Sequence, residues 1–108
     1  MRVIDEKMTL IRELCQKYRV ERLEVFGSSV EGEFHPDRSD IDLLVEFAPS
    51  QDLGPWLSHY FNLKSDLERA FGRKVDLVMS GALKNPYFIR EVNRTRRTIY
   101  EAKNAEAS

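Results

Sequence analysis

The sequence predicts a small α/β domain in which helices pack on a β-sheet. Apolar residues recur at helical spacing in two separate stretches, Ile4 to Tyr18 and Trp56 to Phe71. Two mostly apolar runs, Ile41–Phe47 and Lys74–Met79, read as strands. Helix-period and strand-period segments alternate along a chain of 108 residues, which suits one domain with one core. That domain is expected over residues 1–102, with a polar tail at 103–108 that frays.

The elements follow in order. Ile4, Met8, Ile11, Leu14 and Tyr18 share one face of an amphipathic helix. Leu23-Glu24-Val25-Phe26 is a short strand stopped by Gly27, and Ser28–Glu33 can form a short helix. Phe34–Ser39 contains His35-Pro36-Asp37 and reads as a turn-rich loop before the strand Ile41–Phe47. Pro49 to Gly54 is a connector, and Pro55 suits the first turn of the next helix. Trp56, Tyr60, Leu63, Leu67 and Phe71 form the apolar stripe of that helix, and Gly72 stops it. After the strand Lys74–Met79 the pattern is helical around Pro86–Asn93, and Thr98-Ile99-Tyr100 suits an edge strand.

Composition narrows the function classes. Hydrophobic residues make up 42% and charged residues 32%, as in a soluble globular protein. No apolar run has the length of a membrane helix, so no membrane partner is expected. The start turns acidic and amphipathic at once, unlike a signal peptide, and the single Cys15 fits a reducing cytoplasm. A net charge of −1 argues against direct DNA binding and leaves RNA contact a lesser alternative. Arg90, Arg94, Arg96 and Arg97 crowd near the C-terminus. They read as a solvated helix end, or as a contact to a triphosphate, an RNA or an acidic partner. His35 and His59 lack metal-ligand spacing, which argues against a zinc site; both read as surface residues. Trp56, Tyr60 and Phe61 suit core packing at helical spacing, with adenine stacking the alternative.

Chemistry concentrates between Phe26 and Val45. A strand ending at Phe26 delivers the chain into Gly27, where the missing Cβ lets backbone amides approach an anion. A helix starting near Ser28 would aim its free N–H groups at the same place, and the Ser28 hydroxyl adds a donor. The segment is neither a P-loop nor a dinucleotide-binding fingerprint, because Gly-Lys-Ser/Thr and G-x-G-x-x-G are both absent.

Asp40 and Asp42 are two residues apart at the start of a strand and so share a face, while Ile41 and Leu43 point into the core. Two carboxylates on one face repel each other, and a divalent ion between them removes the conflict. Ser39-Asp40 can instead cap the strand entrance, a reading that leaves Asp42 unexplained. Asp76, inside Lys74-Val75-Asp76-Leu77-Val78, is a third carboxylate that converges on the pair if the two strands are neighbours. It suits a general base or a ligand in a two-metal site; a neutralised edge-strand Asp is the alternative.

Gly27-Ser28, Asp40-x-Asp42 and the later Asp76 together resemble the DNA polymerase β-type nucleotidyltransferase superfamily. The run Ser-Asp-Ile-Asp-Leu-Leu-Val and the short length resemble its minimal nucleotidyltransferase (MNT) domain proteins. The resemblance spans about Arg22 to Val78. It implies a mixed-sheet α/β (α+β) fold of the polymerase β-like type and transfer of AMP from ATP with release of pyrophosphate. It implies catalytic and metal-binding roles for Asp40, Asp42 and Asp76, with two Mg²⁺ ions, and nucleotide binding by Gly27, Ser28 and Ser39. The partner it implies is a HEPN-domain toxin, modified on a tyrosine, which makes this chain an antitoxin. Ser29 and Glu31 stand where such proteins often carry arginine. That departure motivates an alternative reading: a module that neutralises a toxin by contact alone. A further alternative is a subunit that transfers a nucleotide to a small molecule or an RNA end.

Overall fold

The structure, a computed structural model, describes residues 2–27 and 40–102. The expected helix Ser28–Glu33, the loop Phe34–Ser39 and the tail 103–108 lie outside the described residues. Two helices, α1 (Arg2–Glu6) and α2 (Met8–Lys17), lead into strand β1 (Val20–Val25). Then come β2 (Ile41–Phe47), α3 (Ser58–Phe71), β3 (Val75–Met79), α4 (Pro86–Thr95) and β4 (Arg97–Glu101).

The four strands form one mixed sheet in the order β3-β2-β1-β4. β1 pairs antiparallel with both β2 and β4. β2 and β3 run parallel, with α3 as the crossover that parallel neighbours require. Alternation along the strands gives the sheet two working faces. Leu23, Val25, Ile41, Leu43, Val45, Val75 and Leu77 pack with α1, α2 and α3 in the main core. On the other face Phe26 and Leu44 pack with Val92 of α4, flanked by Val78 and Leu83.

Local chemistry accounts for most boundaries. Gly72 stops α3 with φ 68°, and its N–H donates to the Glu68 carbonyl at 2.8 Å. Asn85 caps α4 by accepting from Tyr87 N at 2.9 Å and Phe88 N at 3.3 Å, and Pro86 fills the first helical position. The outer edge of β3 is covered by side chains of α3: Glu68 accepts from Val75 N, and the Tyr60 hydroxyl donates to the Leu77 carbonyl.

Four expectations need correction. The first amphipathic stretch is two helices, because Lys7 leaves helical geometry (φ −107°, ψ 10°) and its N–H closes a tighter turn on Ile4. Its apolar face survives, with Ile4, Ile11, Leu14 and Tyr18 buried. Trp56 is not part of the α3 stripe: Trp56 and Leu57 both have φ 56°, and Trp56 is 95% exposed. Two successive left-handed residues cannot continue a right-handed helix, so Pro55 opens only a short 3₁₀ turn and α3 begins at Ser58. Phe61, expected in the core, is also exposed. His59 is no surface residue: it hydrogen-bonds the Tyr18 carbonyl oxygen and packs edge-on against Tyr18 and Phe47.

Candidate active site

Asp42 and Asp76 come together at the N-terminal ends of β2 and β3, with Asp40 just ahead of β2. Asp40 precedes β2 and is exposed, Asp42 is half-buried within it, and Asp76 is exposed on β3. The parallel register makes Asp42 and Asp76 direct neighbours across the two strands. Ile41, Leu43, Val75 and Leu77 take the core face, so Asp42 and Asp76 occupy the face that carries α4.

Crowding shows in the acidity of Asp42. Burial, then the charge of Asp76, then that of Asp40, push its carboxyl from 3.8 up to about 6. A conflict of this kind between acidic oxygens suits a hard divalent cation. Among the described residues, no three His, Cys, Asp or Glu groups stand close enough to chelate one ion in this arrangement. The donor set is all oxygen and open to solvent on one side, which fits magnesium held together with substrate oxygens.

Gly27 ends β1 against this cluster. Its φ is +67°, and a Cβ there would lie 2.9 Å from Asp42 Oδ2, so any side chain would enter the carboxylate. The backbone also ties the two strands here, through Phe26 N–H to the Asp42 carbonyl oxygen at 3.1 Å. Gly27's own amide is engaged within the chain: its N–H donates to Thr95 Oγ1 at 2.8 Å. Ser28 and Ser39, the other expected nucleotide contacts, lie outside the described residues, as do Ser29, Glu31 and Arg38.

The structure adds groups that sequence reasoning missed. Glu24 is 4% exposed and holds Arg96 through both carboxylate oxygens, at 2.8 Å and 2.6 Å. A glutamate inside an apolar strand was the available signal, the same one that singled out Asp76. Arg96 is therefore paired with a buried carboxylate, although its side chain stays partly exposed. Arg94 is hydrogen-bonded to Glu91, and Arg90 lies over the Tyr87 ring. Thr95 carried no sequence signal. A cleft of about 540 Å³ lined by Phe47, Met79, Ser80 and Lys84 opens at the other end of β2 and β3, away from the carboxylates.

Comparison with known proteins adds three findings. The family described as nucleotidyltransferase domain matches residues 7–103. The chain is 38% identical over 96 residues to MJ0128 of Methanocaldococcus jannaschii, to which protein adenylyltransferase activity is attributed, covering 85% of this chain and 93% of that protein. A solved structure described as a minimal nucleotidyltransferase superposes with a TM-score of 0.70 at 31% identity, covering 89% of this chain and 92% of that one. The fold also matches, at 18% identity and a TM-score of 0.62, a structure of a tri-AMPylated Shewanella oneidensis HEPN toxin in complex with MNT antitoxin, covering 96% of this chain and 77% of that chain.

Proposed function

Since this chain belongs to the nucleotidyltransferase domain family, we propose that it transfers AMP from ATP to a tyrosine hydroxyl of a partner HEPN toxin and so acts as its antitoxin. The observation that carries the reading is the pairing of Asp42 with Asp76 across β2 and β3, with the Gly27 turn against the Asp42 carboxylate. Similarity to a protein adenylyltransferase and to the fold of a toxin-bound antitoxin supports the acceptor class.

In this reading Asp40, Asp42 and Asp76 would hold magnesium, as two ions, which would supply positive charge to the triphosphate oxygens where negative charge builds. The tyrosine oxygen attacks the α-phosphorus, the bond from that phosphorus to the β-phosphate oxygen breaks, and pyrophosphate leaves. Asp76, the most outward of the strand carboxylates, accepts the phenolic proton. The turn at Gly27, with Ser28 and Ser39, receives the triphosphate. The reading places the work in the cytoplasm, where the single Cys15 stays reduced, and within one domain.

The test is incubation of the purified chain with labelled ATP, Mg²⁺ and the product of the neighbouring gene, read for a HEPN domain. Label is expected on the toxin and is lost in the Asp40→Ala/Asp42→Ala variant. No transfer, or equal transfer by that variant, would refute the reading. A second reading, neutralisation by contact alone, draws on the Gly27 amide being engaged by Thr95 and so withheld from a phosphate. It predicts that the double variant protects against the toxin at equal dose.

A further inference from the structure

We propose that Thr95 is a positioning residue for this site: its hydroxyl sets the Gly27 turn against the Asp42 carboxylate. The proposal rests on the adenylyl-transfer reading.

Apart from tyrosines and Cys15, only two polar side chains are buried among the described residues, Glu24 and Thr95. Both join the C-terminal end of α4 to the end of β1. Thr95 Oγ1 accepts from Gly27 N at 2.8 Å and donates to the Glu91 carbonyl oxygen at 2.9 Å, so the single hydroxyl proton goes to the helix and a lone pair serves the turn. One residue on, Arg96 clamps Glu24, and its third nitrogen donates to Asn93 Oδ1 at 2.8 Å. The acceptor side of the link is therefore anchored on both sides of Thr95.

The donor side is close-set. A Cβ on Gly27 would lie 2.9 Å from Asp42 Oδ2, so the turn passes the carboxylate with no room for a side chain, and Phe26 N–H holds the Asp42 carbonyl. A turn that moves away from α4 loses the Thr95 bond and changes its spacing to the carboxylate. Contacts thus run from α4 through Thr95 and Gly27 to Asp42. Positions in such a site tolerate errors well below 1 Å, and small displacements cost orders of magnitude in rate.

Thr95→Val keeps the shape and removes the hydroxyl; Thr95→Ser keeps the hydroxyl and removes the methyl. Three measurements separate positioning from plain support: hydrogen exchange of the Gly27 amide by NMR, titration with Mg²⁺ and ATP, and steady-state AMP transfer to the HEPN partner. For Thr95→Val we expect Gly27 exchange to speed by about tenfold, and KM for ATP to rise by about tenfold with kcat changing less. Thr95→Ser should restore both. A structural role alone would lower the active fraction, and so the apparent kcat, with KM unchanged. Wild-type KM in Thr95→Val, unchanged Gly27 exchange, or a Ser variant no better than Val would each overturn the proposal. Exchange and titration need no acceptor, so absence of transfer from the wild-type chain overturns the functional reading alone.

Discussion

Replacing Asp42 by Asn should make the metal-free protein more stable while abolishing AMP transfer. Asp42 is the half-buried member of the carboxylate group, and its acidity is shifted from 3.8 to about 6 by burial, Asp76 and Asp40. A rise of that size bounds the effect at about 3 kcal/mol. The side chain keeps access to water, and screening of a partly exposed group reduces the expected value to about 1 kcal/mol. The sign follows from proton binding. Between about pH 4 and pH 6 the native protein holds a proton that the unfolded chain releases, so stability falls as pH rises through this window. Above about pH 7 the loss is complete, and an amide at position 42 avoids it. The assay is urea unfolding of both proteins in EDTA at about pH 4.5, 6 and 7.5, bracketing the shifted value. The variant should match wild type at the lowest pH and exceed it by about 1 kcal/mol at the highest, or about 5 °C in Tm. Added Mg²⁺ should raise the wild type more than the variant, because only a native-state ligand set stabilises by mass action. A variant no more stable than wild type at pH 7.5, or a gap that ignores pH, would refute the reasoning.

Gly27→Ala should cost about 1–2 kcal/mol from its positive φ and its clash with Asp42, and should cut AMP transfer by more than tenfold; thermal melts and labelled-ATP assays read the two effects. Arg96→Ala should destabilise by about 3 kcal/mol, since it leaves the buried Glu24 carboxylate unpaired, and Glu24→Leu/Arg96→Met should recover most of that in chemical denaturation. Trp56→Gly should raise stability by about 1 kcal/mol, because glycine adopts the left-handed conformation without a Cβ penalty and little packing is lost from a residue that is 95% exposed. The same substitution removes the chain's single tryptophan, whose wild-type emission should be that of an indole in water.

Signals carried by near neighbours were legible in the sequence. Ile41–Phe47 appears at the predicted bounds, and Val75–Met79 within a residue of them, because apolar alternation reports a strand whatever it pairs with. The stop at Gly72 was equally local, since the left-handed conformation there is a property of the residue. Asp42 announced itself because an aspartate inside an apolar run is costly without a compensating charge. The same signal stood at Glu24, where it marks an ion pair on the neighbouring strand β1 and not a member of the carboxylate group. Trp56 shows the opposite failure. Its spacing matched a helical stripe, but a left-handed turn detaches it from α3, and a spacing pattern carries no φ angle.

By itself, then, the sequence determined the order of helices and strands, the Gly27 turn and the identity of the three aspartates, because each depends on chain neighbours and side-chain chemistry. The tertiary structure decided the rest. Placing β3 beside β2 in parallel register makes Asp76 the neighbour of Asp42. Docking α4 over the same face brings Thr95 to Gly27 across 68 positions of sequence and Arg96 to Glu24 across 72. Such contacts are set by which strands are adjacent and which face a helix covers, and no local pattern encodes either.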